Sequence, residues 1–313
     1  MGATNLLLHY FPRVVFRSDF DGMAERVRAL APDIHVDVLA TDRSHPLAVL
    51  RAATRPTVSV EFNHPKFPRV LRGKIYRHWR KGAKSRQYRV MEQAGLPVPR
   101  WVDLTPETKL DPEDWGKYVV LKPDLGMRGA YVRVNRTARV RYRPPEELEE
   151  DNPARKGGGM LVQRLVYTGD HPVSYRVVTL LGTPLFAKRY EGSRAPSFTK
   201  NSSGALHATG SSVVATGVGC KVTLCDDPEI LDLARRTHAA FPDIPVLGID
   251  LARDLEDGSL WVLEVNPDGG TWALGSPGGK KLRESTGLDL YGQFGALDRA
   301  AEALVEACRL SAA

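Results

Sequence analysis

The sequence is poor in cysteine, has no long apolar run and shows no internal repeat. Its 313 residues include three cysteines, Cys220, Cys225 and Cys308. So small and odd a number cannot build the disulfide framework that holds small secreted domains together. Cys220 and Cys225 lie five positions apart with no second pair, so they read as ordinary thiols and not as a zinc site. No apolar stretch approaches the roughly 20 residues that a membrane-spanning helix needs. The start, Met1-Gly-Ala-Thr-Asn-Leu-Leu-Leu, lacks the positive flank and apolar length of a secretory signal. Residue 6 is Leu where the myristoylation pattern takes Ser or Thr. These absences predict a cytoplasmic protein without a membrane partner.

What is present is ordinary for a globular chain: 42% hydrophobic and 26% charged residues. The length suits two domains, or one with several lobes, and a substantial core. The net charge is +7. The densest basic run, Arg69 to Arg89, carries Lys74, Arg77, Arg80, Lys81, Lys84 and Arg86 between Tyr76, Trp79 and Tyr88. Basic and aromatic residues mixed in this way fit an RNA-binding face. An anionic small ligand or a solvated face fits them better, because charge runs usually face water.

The first hundred residues alternate in type. Leu6–Phe11, Ile34–Leu39 and Thr57–Phe62 have strand patterns, and Asp21–Leu30 and Pro46–Ala53 have helical ones. Such alternation implies a small parallel sheet. A helix over Lys84–Gln93 ends at Ala94-Gly95-Leu96-Pro97, a glycine cap followed by proline. Beyond Trp101, strands are expected at Tyr118–Lys122, Ala130–Asn135 and Met160–Val166, with residues 136–159 as loop. Val173–Leu181 and Pro184–Tyr190 form an expected hairpin turning at Gly182-Thr183. Residues 192–219, rich in Ser, Gly, Ala and Thr, read as a long loop, and loops of that length are often functional. A helix over Pro228–Phe241 precedes strands Val246–Ala252 and Leu260–Val265, which join through Asp257-Gly258. Tyr291–Leu310 closes the chain as a helix.

The sharpest chemical feature is Glu264-Val265-Asn266. Residues two apart on a strand share a face, roughly 6.6–7 Å apart. Two oxygen-bearing side chains at that spacing can hold a pair of hard cations about 4 Å apart. Counting back through the Asp257-Gly258 turn puts Asp250 opposite the Glu264 neighbourhood. Three oxygen ligands then converge at one end of a two-stranded ribbon, which suits magnesium. Lys122 ends an apolar strand before a turn containing Gly126 and Gly129. A lysine there can reach phosphate oxygens, and glycines let backbone N–H groups approach them. The turn is neither a P-loop nor a Rossmann fingerprint, because it lacks the first pattern and joins strand to strand. Arg176 and Arg189 sit on the intervening hairpin, as cations that could stabilise a transferring phosphoryl group.

Taken in order, these residues resemble the ATP-grasp superfamily, in particular its carboxylate–amine ligase branch, which includes ribosomal-protein-S6–glutamate-ligase-like and glutathione-synthetase-like proteins. Lys84 before Ala94-Gly95-Leu96-Pro97 looks like the first nucleotide lysine, and Lys122 with Gly126 and Gly129 like the second lysine and the phosphate-covering hairpin. Leu161 to Val166, with Gln163 and Leu165, resembles the strand that meets adenine through its backbone. Asp170 stands where a ribose contact is expected. Arg176 and Arg189 match the two arginine positions, and Asp250, Glu264 and Asn266 the metal ligands. The chain departs from the family at Arg164, where an acid is common, and after Asn266, where Pro267-Asp-Gly-Gly-Thr-Trp272 replaces a Pro-Gly pair.

The resemblance implies an α/β fold with α+β lobes: a small Rossmann-like lobe over residues 1–83, then an ATP-grasp region over 84–313, divided at 165/166. It implies ATP with magnesium, two ions being expected and manganese an acceptable substitute. It also implies activation of a carboxylate as an acyl phosphate and its capture by an amine, the substrates being small molecules or peptides. Lys200, Asn201 and His207 of the long loop would close over the intermediate, and Gly269 and Gly270 would offer N–H groups to a carboxylate or oxyanion. A small-molecule kinase of the same fold and a nucleotide-responsive RNA-binding module are the alternatives.

Overall fold

The computed structural model describes residues 4–63, 73–77, 82–126, 129–169, 171–192, 197–200, 206–209, 220–267 and 271–312. The chain opens with β1 (Thr4–Tyr10), α1 (Arg17–Leu30), β2 (Ile34–Ala40), α2 (Pro46–Thr54), β3 (Thr57–Glu61) and the short β4 (Ile75–Tyr76). These strands form a parallel sheet in the order β2-β1-β3-β4. Every residue of β1 is buried, as expected of a central parallel strand covered on both faces. In α1, Phe20, Met23, Ala24 and Val27 are buried, a spacing that makes one apolar stripe.

Next come α3 (Lys84–Gln93), β5 (Trp101–Asp103), α4 (Pro112–Trp115), β6 (Tyr118–Pro123), β7 (Arg133–Arg136) and β8 (Met160–Arg164). The four strands form an antiparallel sheet, β5-β8-β6-β7. Residues 136–159, expected as plain loop, contain three short 3₁₀ turns. The strand expected from Ala130 starts only at Arg133, because the chain is still turning at Tyr131, whose φ is +61°.

The last region holds β9 (Val173–Leu180), β10 (Thr183–Gly192), β11 (Ser197–Lys200), β12 (Leu206–Thr209), β13 (Cys220–Leu224), α5 (Pro228–Ala239), β14 (Val246–Arg253), β15 (Leu260–Asn266), α6 (Pro277–Thr286) and α7 (Ala296–Ala312). A five-stranded antiparallel sheet runs β13-β10-β9-β14-β15. The β9–β10 turn falls at Leu181-Gly182, both with positive φ, one residue earlier than expected. Part of the long loop pairs as a β11–β12 hairpin, and β12 packs beside β7. The closing helix begins at Ala296, five residues later than expected.

One core joins the parallel sheet to the five-stranded one. It runs from Leu6, Leu8, Val58 and Val60 through α1 and α7 to Val178, Leu180, Phe186 and Val246. A second core packs Tyr88 and Met91 of α3 and the apolar side of α5 against Val177, Ile249 and Val265. The three cysteines are free thiols. Among the described residues, no helix is long and apolar enough to cross a membrane.

Candidate functional site

The register of the five-stranded sheet puts charged residues in one row. Lys188 on β10 pairs with Arg176 on β9, Arg176 with Asp250 on β14, and Asp250 with Glu264 on β15. Directly opposed residues of antiparallel strands share a face, so all four project to the same side. A bulge follows Asp250 and skips Leu263. It bends the ribbon and re-aims the side chains next to it.

Asp250 is gripped by Arg176. The guanidinium donates from Nε and Nη2 to the two carboxylate oxygens, 2.6 Å each. Burial opposes the Arg176 charge, but the Asp250 carboxylate more than offsets that, and the pKa of Arg176 is raised. The Asn266 amide donates to Asp250 Oδ2 at 3.0 Å and to the Gly248 carbonyl at 3.3 Å. Glu264 Oε1 is shielded from solvent. Asp250, Glu264 and Asn266 are therefore brought together. Two carboxylates and an amide oxygen are a donor set suited to a hard divalent cation. Among the described residues, no three His, Cys, Asp or Glu side chains form a metal-holding group, so the amide is needed to complete a three-donor set.

The second cation of the row is Lys188, which the sequence reading passed over. It is buried. Burial and then the field of Arg176 lower its pKa from 10.5 to about 8, against the pull of Asp250. Arg189, the expected partner of Arg176, lies one residue further on. It pairs in register with Tyr175 and Thr223, on the face of the sheet that carries Val177 and Ala187 toward α5. Its guanidinium is bound to Glu191 at 2.5 Å. The strand's two-residue period separates Arg189 from Asp250.

The lysines meet around α3. Lys84 is the first residue of that helix, and its ammonium donates to the Gly126 carbonyl at 3.1 Å. Asp124 holds the helix start against the turn, accepting from the Ser85 backbone at 2.8 Å and the Ser85 hydroxyl at 3.0 Å. A carboxylate there satisfies open N–H groups and suits the positive helix end. Lys122 is buried, donates to Gln163 Oε1 at 2.7 Å and lies 5.0 Å from the centroid of the Tyr88 ring. Tyr88 is fully buried and donates to the Leu263 carbonyl at 3.0 Å, beside Glu264. Burial, with Glu264 contributing, raises the Tyr88 pKa. Lys122, Gln163 and the acidic ribbon thus meet at one tyrosine. Leu165 follows β8 directly and is half-buried, and Gly129 has a positive φ of 69° in the turn before β7.

Downstream of Asn266 the chain is tied at its far end. Thr271 donates to the Asn266 carbonyl at 2.8 Å. It sits so close to Gly248 that a Cβ there would meet its methyl at 2.9 Å. Trp272 is fully buried against Phe20 and Phe62, and its indole N–H donates to Asp19 at 2.7 Å. Tyr291 donates to the other Asp19 oxygen at 2.7 Å.

Asp170, Asn201, Gly269 and Gly270 lie outside the described residues. Lys200 ends β11 opposite Leu206, and His207 on β12 is opposite Thr199. Of the basic stretch, Arg69, Arg80, Lys81 and Trp79 also lie outside the described residues. Tyr88 and Lys84 turn inward, and Lys74 pairs with Asp243 at 2.5 Å.

Two solved structures share this architecture. D-cycloserine synthetase DcsG is 17% identical, with 97% of this chain and 99% of that chain covered, at a TM-score of 0.52. The ATP-grasp ligase PsnB, complexed with a phosphomimetic variant of minimal precursor, Mg and ADP, is 16% identical over 98% and 99%, at a TM-score of 0.50. The fold of the chain is an ATP-grasp fold. No protein-family model and no curated protein matches the sequence.

Proposed function

We propose that this protein is a magnesium–ATP-dependent ligase that joins a carboxylate to an amine. The observation that carries this reading is the row Lys188–Arg176–Asp250–Glu264, with Asn266 at its edge and Lys122 over the Tyr88 ring. Lys122 and the acidic row approach Tyr88 from two sides: Lys122 lies over its ring, and its hydroxyl donates to the Leu263 carbonyl beside Glu264. Fold alone would not carry this, since one fold hosts many activities.

In this reading the 84–165 lobe binds the nucleotide and the 166–313 lobe supplies the acids, behind a substrate-side lobe over 1–83. Lys84 and Lys122 receive the phosphates as point charges. The 161–166 segment, with Gln163 and Leu165, lies along the adenine, and Asp170 meets the ribose. Asp250, Glu264 and Asn266 hold the magnesium ions, for which manganese can substitute. When bound, the metal neutralises phosphate charge and fixes its orientation. Arg176 and Lys188 share the sheet face of the acidic row and would stabilise the charge that develops on the transferred group.

The carboxylate oxygen attacks the γ-phosphorus, the bond to the β-phosphate oxygen breaks, and ADP leaves. The amine nitrogen then attacks the acyl carbon, inorganic phosphate leaves, and the nitrogen loses a proton. Protein groups position the reactants more than they react. Lys200 and Asn201 would close over the acyl phosphate and exclude water. Gly269 and Gly270 would offer N–H groups to the carboxylate. Arg189 would act from outside this row, through movement of its Glu191 pair.

The test is ADP release screened over amino acids and small carboxylates, with mass spectrometry of the product. The expected result is release that needs both an acid and an amine, and a product lighter than their sum by one water. A stable phosphorylated product would identify a kinase instead. Absence of magnesium-dependent turnover with every pair, together with salt-sensitive RNA binding, would replace the enzyme reading.

A further inference from the structure

A cavity lies on the far side of the small antiparallel sheet. Strand side chains alternate, so Lys122 faces Tyr88 while its neighbour Leu121 faces away. On that far side residues 136–159 fold over the sheet and enclose about 510 Å³, a volume in the range of small-molecule sites. Its apolar wall includes Leu104, Leu121 and Met160. Its rim carries Arg133, Arg139, Arg141 and Arg143, of which Arg143 donates to the Glu147 carbonyl at 2.6 Å and lies 3.9 Å from the Glu147 carboxylate. Arg133 is committed to Glu149 at 2.5 Å. Arg141 donates to the Ala138 and Val140 carbonyls at 3.1 and 2.7 Å and pairs with no carboxylate among the described residues. Asn135 also lines the cavity, and its Oδ1 is buried without a hydrogen-bond partner among the described residues. Leaving such an atom unmatched is unfavourable, so a donor in the cavity would relieve it.

We propose that this cavity binds a small amphipathic anion. The apolar body of the ligand lies on Leu121 and Met160. Its carboxylate or phosphate meets the arginine rim, where guanidinium forks match planar anions. A donor on the ligand reaches Asn135. The site does not share Lys84, Lys122 or the acidic row, so it stands whether or not the nucleotide reading does.

The test is isothermal titration of the full chain with 4-(4-hydroxyphenyl)butyrate, 4-hydroxyphenyl phosphate and the neutral 4-(4-hydroxyphenyl)butan-1-ol, all three carrying a phenol donor for Asn135, with and without a non-hydrolysable magnesium–ATP analogue. We expect at least one of the two anions to bind one to one, with the nucleotide analogue present or absent. The tighter anion identifies the head group. The alcohol should bind about tenfold more weakly, as expected for loss of a charged hydrogen bond. Arg141→Glu should weaken the anion by a similar factor, whereas Lys122→Ala should leave it unchanged. Neither anion binding, equal binding of the alcohol, or competition by the nucleotide analogue would overturn the proposal. The alcohol comparison needs no variant, so it decides even if Arg141→Glu fails to fold.

Discussion

Arg176 grips Asp250 by two parallel bonds of 2.6 Å across neighbouring strands, with a quarter or less of each side chain exposed. The pair holds a positive fork and a negative group on the same face of the sheet. Lysine in place of arginine keeps the charge but cannot make both bonds. Arg176→Lys should lower kcat by about a hundredfold, the loss typical of a removed charge-stabilising donor, with a small change in KM for ATP. Steady-state kinetics on the identified substrates checks this, and an unchanged kcat would remove Arg176 from the phosphoryl step.

Lys188 titrates near 8 because it is buried beside Arg176. Its ammonium is charged below that pH and is lost as pH rises through it. ATP binding should therefore weaken above pH 8. Lys188→Arg, which stays charged, should flatten that decline. On stability the sign is opposite: the folded pKa lies below the unfolded one, so the burial penalty is full below about pH 8. It is relieved between 8 and the ordinary lysine value. Binding titrations and urea melts from pH 7 to 10 read both effects.

Lys122 reaches Gln163 and the Tyr88 ring from a buried position. Lys122→Ala should weaken ATP binding about tenfold to a hundredfold, the range for losing a charged hydrogen bond, and leave the secondary structure intact. Calorimetry of ATP binding measures it. Unchanged affinity would take Lys122 out of the nucleotide contact.

Trp272 ties the segment after Asn266 to the first helix through Asp19 and an aromatic cluster with Phe20 and Phe62. Trp272→Ala should cost about 3–5 kcal/mol of stability, as large aromatic truncations in cores do. Trp272→Phe should cost about 1–3 kcal/mol, because one Asp19 oxygen loses its indole donor. Urea denaturation of both variants separates the packing contribution from the hydrogen bond.

Much of this was legible in sequence because it depends on local spacing. The period-two pattern and the Asp257-Gly258 turn place Asp250 opposite Glu264, and the structure pairs those two residues. The helix over Lys84–Gln93 follows from its glycine cap. Features set by long-range contacts were not legible. Arg189 and Lys188 are both cations on one strand, and only the register with β9 shows which of them shares the face of Arg176. Asp124 caps a helix forty residues away, which no spacing rule reports. Trp272 looks like a loop residue until Asp19, 253 positions earlier, is seen beneath it. The β11–β12 pairing arises in a stretch whose Ser- and Gly-rich composition reads as loop.

The central claim is that Asp250, Glu264 and Asn266 make a magnesium site that serves ATP turnover. The most direct measurement is magnesium-dependent ADP release by Glu264→Ala, with circular dichroism and thermal melting beside it. Turnover should be abolished while the folded spectrum and a cooperative melt are retained. Turnover at the wild-type rate in a folded Glu264→Ala protein would contradict it.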